Sequence, residues 1–288
     1  MDDISVSKSK SSNHGNVVVL NVQDSSVADT SNKKESSFSP LISVHFLQKL
    51  ITELVGTYYL IFAGCAAIAV NAQHHNVVTL VGIALVWGIV IMVLVYCLGH
   101  ISAHFNPAVT LALASSKKFP LYQVPAYITV QVIGSTLASA TLRLLFNLNN
   151  DVCSKKHDVF LGSSPSGSDL QAFVMEFIIT GFLMLVVCAV TTSKRTTSEL
   201  EGLIIGAAVT LNVIFAGEVS GASMNPARSI GPALVWGCYK GIWIYLLAPT
   251  LGAVSGALIH KMLTSIQSAE PEFSKTGSSH KRVTDLPL

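Results

Sequence analysis

The chain is poor in charge. Of its 288 residues 12% are charged and 50% are apolar, and the mean hydropathy is +0.56. A soluble domain carries about 25% charged residues, so this sequence lacks the polar surface that a water-exposed globule needs. Its first 45 residues are Ser-rich and polar, with no apolar core of the kind a secretory signal has, so no cleaved leader is expected. Five cysteines (Cys65, Cys97, Cys153, Cys188 and Cys238) never form a Cys-x-x-Cys pair. Neither a disulfide framework nor a metal site is expected from their spacing. No Asn-x-Ser/Thr acceptor occurs, and the nine histidines show no ligand spacing, so glycosylation, metal and cofactor chemistry are not expected. The formal charge of +2 comes from dispersed basic residues. A nucleic-acid partner is not expected.

What the chain has is apolar length. Six runs, near 49–71, 78–97, 123–146, 171–191, 201–217 and 241–263, approach or exceed the roughly 20 residues needed to cross a bilayer core of about 30 Å. The expected class is an all-α membrane protein with six spans. An even number of spans puts both termini on one side. On the side assigned to the cytosol lie thirteen of the eighteen Lys and Arg residues, which is the positive-inside pattern. The segments 1–45 and 266–288 have the composition of unfolded tails, leaving 46–265 as the membrane unit.

That unit says the same thing twice. "ELVGTYYLIFAGCAA" from Glu53 parallels "EFIITGFLMLVVCAV" from Glu176, with a Thr four and a Cys twelve residues after each Glu. Later in each half comes Asn-Pro-Ala: Asn106, Pro107, Ala108 in "GHISAHFNPAVT" and Asn225, Pro226, Ala227 in "GEVSGASMNPARS". The halves run over about 46–146 and 170–263. Three spans separate equivalent points, so the second half enters the membrane upside down, an inverted repeat with its solute site expected at the midplane.

Asn is a preferred helix N-cap, and Pro is favoured at the first helical position, where its missing N–H costs nothing. The apolar stretches after each motif are too short to span. They read as re-entrant half-helices, which are tolerated at depth where protein or a water-filled cavity surrounds them. Two helix N-termini, each carrying roughly half a positive charge, would then face each other across a pore and repel cations.

The paired "HFNPAVT" and "SMNPARS", the two Glu residues and the six spans in inverted halves resemble the major intrinsic proteins, the aquaporins and aquaglyceroporins. "TELVGTYYLIFAGC" and "LNVIFAGEVSGASMNPARSIGPA" are similar to the plant nodulin-26-like branch. The resemblance implies a homotetramer with one pore per subunit. It implies a selectivity filter of Trp87, Val213, Ala222 and Arg228, and pore loops supported by Glu53 and Glu176. A water-selective filter of this family usually has His where Val213 stands. The wider, half-apolar ring here points to glycerol-like polyols as well as water, and to undissociated weak acids such as lactic acid. His104, two residues before Asn106, is expected to offer its carbonyl to the pore.

Two rivals remain at this level: a coupled secondary transporter on the same repeat, and a low-flux structural or junctional relative. The first predicts titratable residues at the midplane beyond Glu53 and Glu176, which the sequence lacks. The C-terminal tail places Ser274, Ser278, Ser279 and Thr284 near basic residues, where a protein kinase could act. The plasma membrane and the endoplasmic reticulum are both open as locations. One irregularity stands out. The second loop reads Ser220-Gly221-Ala222, but in the first Ser102 runs directly into Ala103. A residue fewer must be absorbed near His100 or by a tighter loop.

Overall fold

The computed structural model describes residues 43–148, 160–192 and 199–269. Eight α-helices follow one another: α1 (Val44–Gln73), α2 (Thr79–Leu98), α3 (Pro107–Ser115), α4 (Val124–Leu145), α5 (Asp169–Thr192), α6 (Glu201–Ser220), α7 (Pro226–Trp236) and α8 (Ile242–Ala269). No strand occurs among the described residues. Six of these helices are long and apolar enough to cross a membrane, matching the six runs read from the sequence. The remaining two, α3 and α7, begin at the two Asn-Pro-Ala motifs. At 1.5 Å per residue they reach about 14 Å and about 17 Å, each half a bilayer. The N-terminal segment up to residue 42, Cys153 and the C-terminal serines at 274 and 278 lie outside the described residues.

The helices pair as an inverted repeat requires. α1 packs on α4 as α5 packs on α8, and α2 meets α6 across the pseudo-two-fold axis. The half-helices cross over: α3 packs on α8 of the other half, and α7 on α4. Side chains on the outer faces, such as Ile51, Val81, Leu137, Ile178, Leu211 and Leu258, are exposed, as a lipid-facing surface should be.

With lipid outside, apolar surface gains little by leaving its surroundings, so helices associate through close packing, which small residues permit. Glycines stand at the crossings. The carbonyl of Gly88 would lie 2.5 Å from a Cβ built on Gly206, and that of Leu54 2.5 Å from one on Gly134. On α8, side chains at Gly252 and Gly256 would strike the Phe177 and Gly181 carbonyls of α5. Arg143, in the last turn of α4, donates to the Val235 carbonyl at 2.8 Å. Its cation therefore sits at the negative end of α7.

Cys65, Cys97 and Cys188 are free, whereas Cys238 is disulfide-bonded. The expectation of no disulfide is corrected here. A bridge closed by tertiary approach has no local Cys-x-x-Cys signature to read.

Gly252→Val should force α5 and α8 apart. Overpacking costs about 1–3 kcal/mol, read as a lower thermal midpoint of the purified protein. An unchanged midpoint would show that the crossing tolerates the side chain.

Candidate pore

Each motif builds its half-helix as its residue types dictate. Asn106 Oδ1 accepts from the Ala108 N–H at 2.8 Å, and Asn225 Oδ1 accepts from the Ala227 N–H at 2.9 Å. Pro107 and Pro226 take the first helical position. Because each Oδ1 faces its own helix, each amide nitrogen points away from it. Asn106 Nδ2 donates to the Met224 carbonyl and Asn225 Nδ2 to the Phe105 carbonyl, both at 2.8 Å. The two loops are thus tied reciprocally, each Asn to the residue before the other. A primary amide has two N–H donors, so one on each Asn is left for the space beside it.

Phe105 and Met224 sit in the left-handed backbone region, at φ +50° and +52°. For non-Gly residues this costs about 1–3 kcal/mol each. Two buried carboxylates hold them there. Glu53 Oε1 accepts from Ser102 Oγ at 2.6 Å and the His104 N–H at 2.8 Å. Its Oε2 accepts from the Phe105 N–H at 2.7 Å and Gln131 Nε2 at 2.9 Å. In the second half, Glu176 Oε1 accepts from Ser220 Oγ at 2.7 Å and the Ser223 N–H at 2.8 Å, and Oε2 from the Met224 N–H at 2.8 Å. Both carboxylates are fully buried, so these bonds replace the hydration they lost.

The two loops reach this pattern with different lengths. α6 continues through Ser220 itself and is capped by Gly221 in the left-handed region, at φ +81°. α2 stops at Leu98, and the chain turns through residues 99–101 before Ser102. The residue missing from the first loop is the capping glycine. An earlier helix end takes its place, and each carboxylate still meets a serine hydroxyl and two consecutive backbone N–H groups.

Beside the Asn pair lies a constriction of about 40 Å³, lined by Trp87, Val213, Ala222 and Arg228 together with Asn106 and Asn225. By the same measure one water needs about 10–15 Å³, so only a few fit. Arg228 is 3% exposed. One guanidinium nitrogen donates to the Leu161 carbonyl at 2.8 Å, and the group lies 5.2 Å from the Trp87 ring centroid, within cation–π range. The absent side chain of Gly64 makes room for the Trp87 ring. On the other side of the Asn pair a vestibule of about 720 Å³ opens, lined among others by His100, His104, Lys49 and Lys118. The His104 ring packs on Phe119 and Tyr127 at centroid distances of 4.8 and 5.1 Å.

Residues 40–260 match the family model described as major intrinsic protein. The chain belongs to the major intrinsic protein family. It is 90% identical to Aquaporin NIP2-1 of Arabidopsis thaliana, over the whole of both chains. It is 53% identical to Nodulin-26 of Glycine max, over 91% of this chain and 92% of that one. The aquaglyceroporin of Plasmodium falciparum shares its fold with a TM-score of 0.68 and 25% identity, over 77% of this chain and 98% of that one. As a member of this family the chain is a membrane channel and not an enzyme.

Several supports of this aquaporin fold were not read from the sequence. Leu161 enters through its carbonyl, which any residue type provides, so nothing in its identity marks it. Tyr127 stands 3.2 Å from Ser102 Oγ, and Tyr245 donates to the Ser220 carbonyl at 2.7 Å. These tyrosines occupy nearly equivalent places after the two motifs, and extending the repeat alignment into the last span of each half would have found them.

Glu176→Gln keeps the shape but turns one acceptor oxygen into a donor facing a buried hydroxyl or amide N–H. Leaving such a group unsatisfied costs about 1–3 kcal/mol. A lower thermal midpoint is expected, and wild-type stability would show that the carboxylate does not hold the loop.

Proposed function

We propose that this aquaporin-family chain is a passive pore for water and small uncharged solutes. Glycerol-like polyols are its main class of solute, with undissociated weak acids such as lactic acid as a further one. The observation that supports it is the convergence of Trp87, Val213, Ala222 and Arg228 on a single constriction beside both Asn amides. Trp87, Val213 and Ala222 offer an apolar wall to CH groups. Arg228 spends one donor on Leu161 and keeps others for a solute hydroxyl, since a guanidinium carries five. The structural relative's name, aquaglyceroporin, describes a channel of this class.

Ions are excluded on three physical grounds. The N-termini of α3 and α7 each present roughly half a positive charge, and Arg228 adds a whole one, so cations are repelled. Anions must shed hydration against a half-apolar ring, which is costly. A water between the Asn amides is oriented as an acceptor, which opposes proton relay, and the helix dipoles raise the larger barrier.

The same reading takes 46–265 as the channel unit of a homotetramer, with both termini cytosolic in the plasma membrane or the endoplasmic reticulum. Kinase action at Ser274 or Ser278 would add charge at the tail.

Stopped-flow measurements on purified protein in liposomes test this. Water, glycerol and lactic acid should cross faster than in empty vesicles, and no difference would overturn the channel. The lactic acid flux should fall about tenfold per pH unit above the acid's own pKa, as its neutral fraction does. A flux that instead accumulates solute against its gradient when a pH gradient is imposed would favour the coupled transporter. Arg228→Ala should admit larger or charged solutes, and unchanged selectivity would remove Arg228 from the filter.

A further inference from the structure

A second cavity, of about 350 Å³, lies off the pore between the end of α3, the end of α5 and the last turns of α8. Its polar lining is Ser116, Lys118, Thr192, His260, Lys261 and Thr264. Among the described residues no carboxylate lines it. Two ammonium groups arriving on different elements therefore face one space with no carboxylate of the described residues between them.

The hydroxyls are unequal. Thr192 Oγ1 lies 3.3 Å from His260 Nε2, and Thr264 Oγ1 donates to the His260 carbonyl at 3.0 Å. Ser116 Oγ is buried and has no hydrogen-bond partner among the described residues, a condition that costs free energy until a ligand or water relieves it. Lys118 alone has a simpler explanation. Its N–H closes the end of α3 on the Leu113 carbonyl at 2.9 Å, and a cation suits a helix C-terminus. That does not account for Lys261, which comes from α8, or for the unpaired hydroxyl.

We infer that this cavity binds a phosphate group, with Lys118 and Lys261 supplying charge and Ser116 a hydrogen bond. Lys261 lies near the end of the span Ile242–Ser265, at the level where lipid headgroups meet the protein and basic pockets between spans take anionic headgroups. A phosphoinositide headgroup and free phosphate share this chemistry. Lys118 and Thr192 also line the pore vestibule, so an anion here acts on side chains at the pore mouth.

The full chain, purified in detergent, is tested in two arms. Native mass spectrometry reads retained phosphatidylinositol 4-phosphate against phosphatidylcholine, and phosphorus-31 line broadening reads inorganic phosphate. Binding in the lipid arm alone assigns a headgroup, and binding in both assigns the phosphate group itself. The double variant Lys118→Gln/Lys261→Gln should lower binding at least fivefold. Lys117→Gln, whose side chain is outside the lining, should leave it unchanged. Ser116→Ala removes one hydroxyl and no charge, and should weaken binding about threefold even if the double variant fails to fold. Binding in neither arm, or binding that survives both the double variant and Ser116→Ala, overturns the site.

Discussion

Everything at the centre of this protein depends on two carboxylates buried where no water reaches them. Glu53 and Glu176 each gather a serine hydroxyl and two consecutive backbone N–H groups. An ionised carboxylate is a strong acceptor for charge-assisted bonds of this kind, and each loop is shaped around one. The left-handed backbone at Phe105 and Met224 would otherwise relax. With it held, the two carbonyls point across the axis at the opposite Asn, and the half-helices meet end to end.

Around that junction backbone and side chains combine. The backbone contributes two helix N-termini aimed at one point, and Arg228 adds a full positive charge beside them. The constriction is shaped by side chains on other elements, namely Trp87 on α2, Val213 on α6 and Arg228 on α7. Arg228 is held by two groups, since its guanidinium lies over the Trp87 indole and donates to the Leu161 carbonyl.

The sequence made much of this legible because a bilayer removes choices. Long apolar runs had to be helices, and a motif repeated across three spans had to be inverted. Asn before Pro announced a helix start, and the caps are found at both positions. What was not legible depends on backbone or on distance. The Leu161 carbonyl, the disulfide at Cys238 and the crossing of α3 to α8 involve partners with no local pattern. The missing glycine was visible as a gap, but its resolution was not. In the fold α2 ends early, at Leu98, and Ser102 still meets Glu53.

The exchange of half-helices between halves has a consequence for the order in which the chain is built. Glu53 can shape the first loop once α4 has emerged, because every bond it makes, the one from Gln131 on α4 included, lies in the first half. The amide of Asn106 must wait for Met224, and α3 must wait for α8. Until then the first half-helix rests on α4 of its own half, and the later half of the chain completes its seat. Neither half is a channel on its own, although each carries a whole copy of the motif.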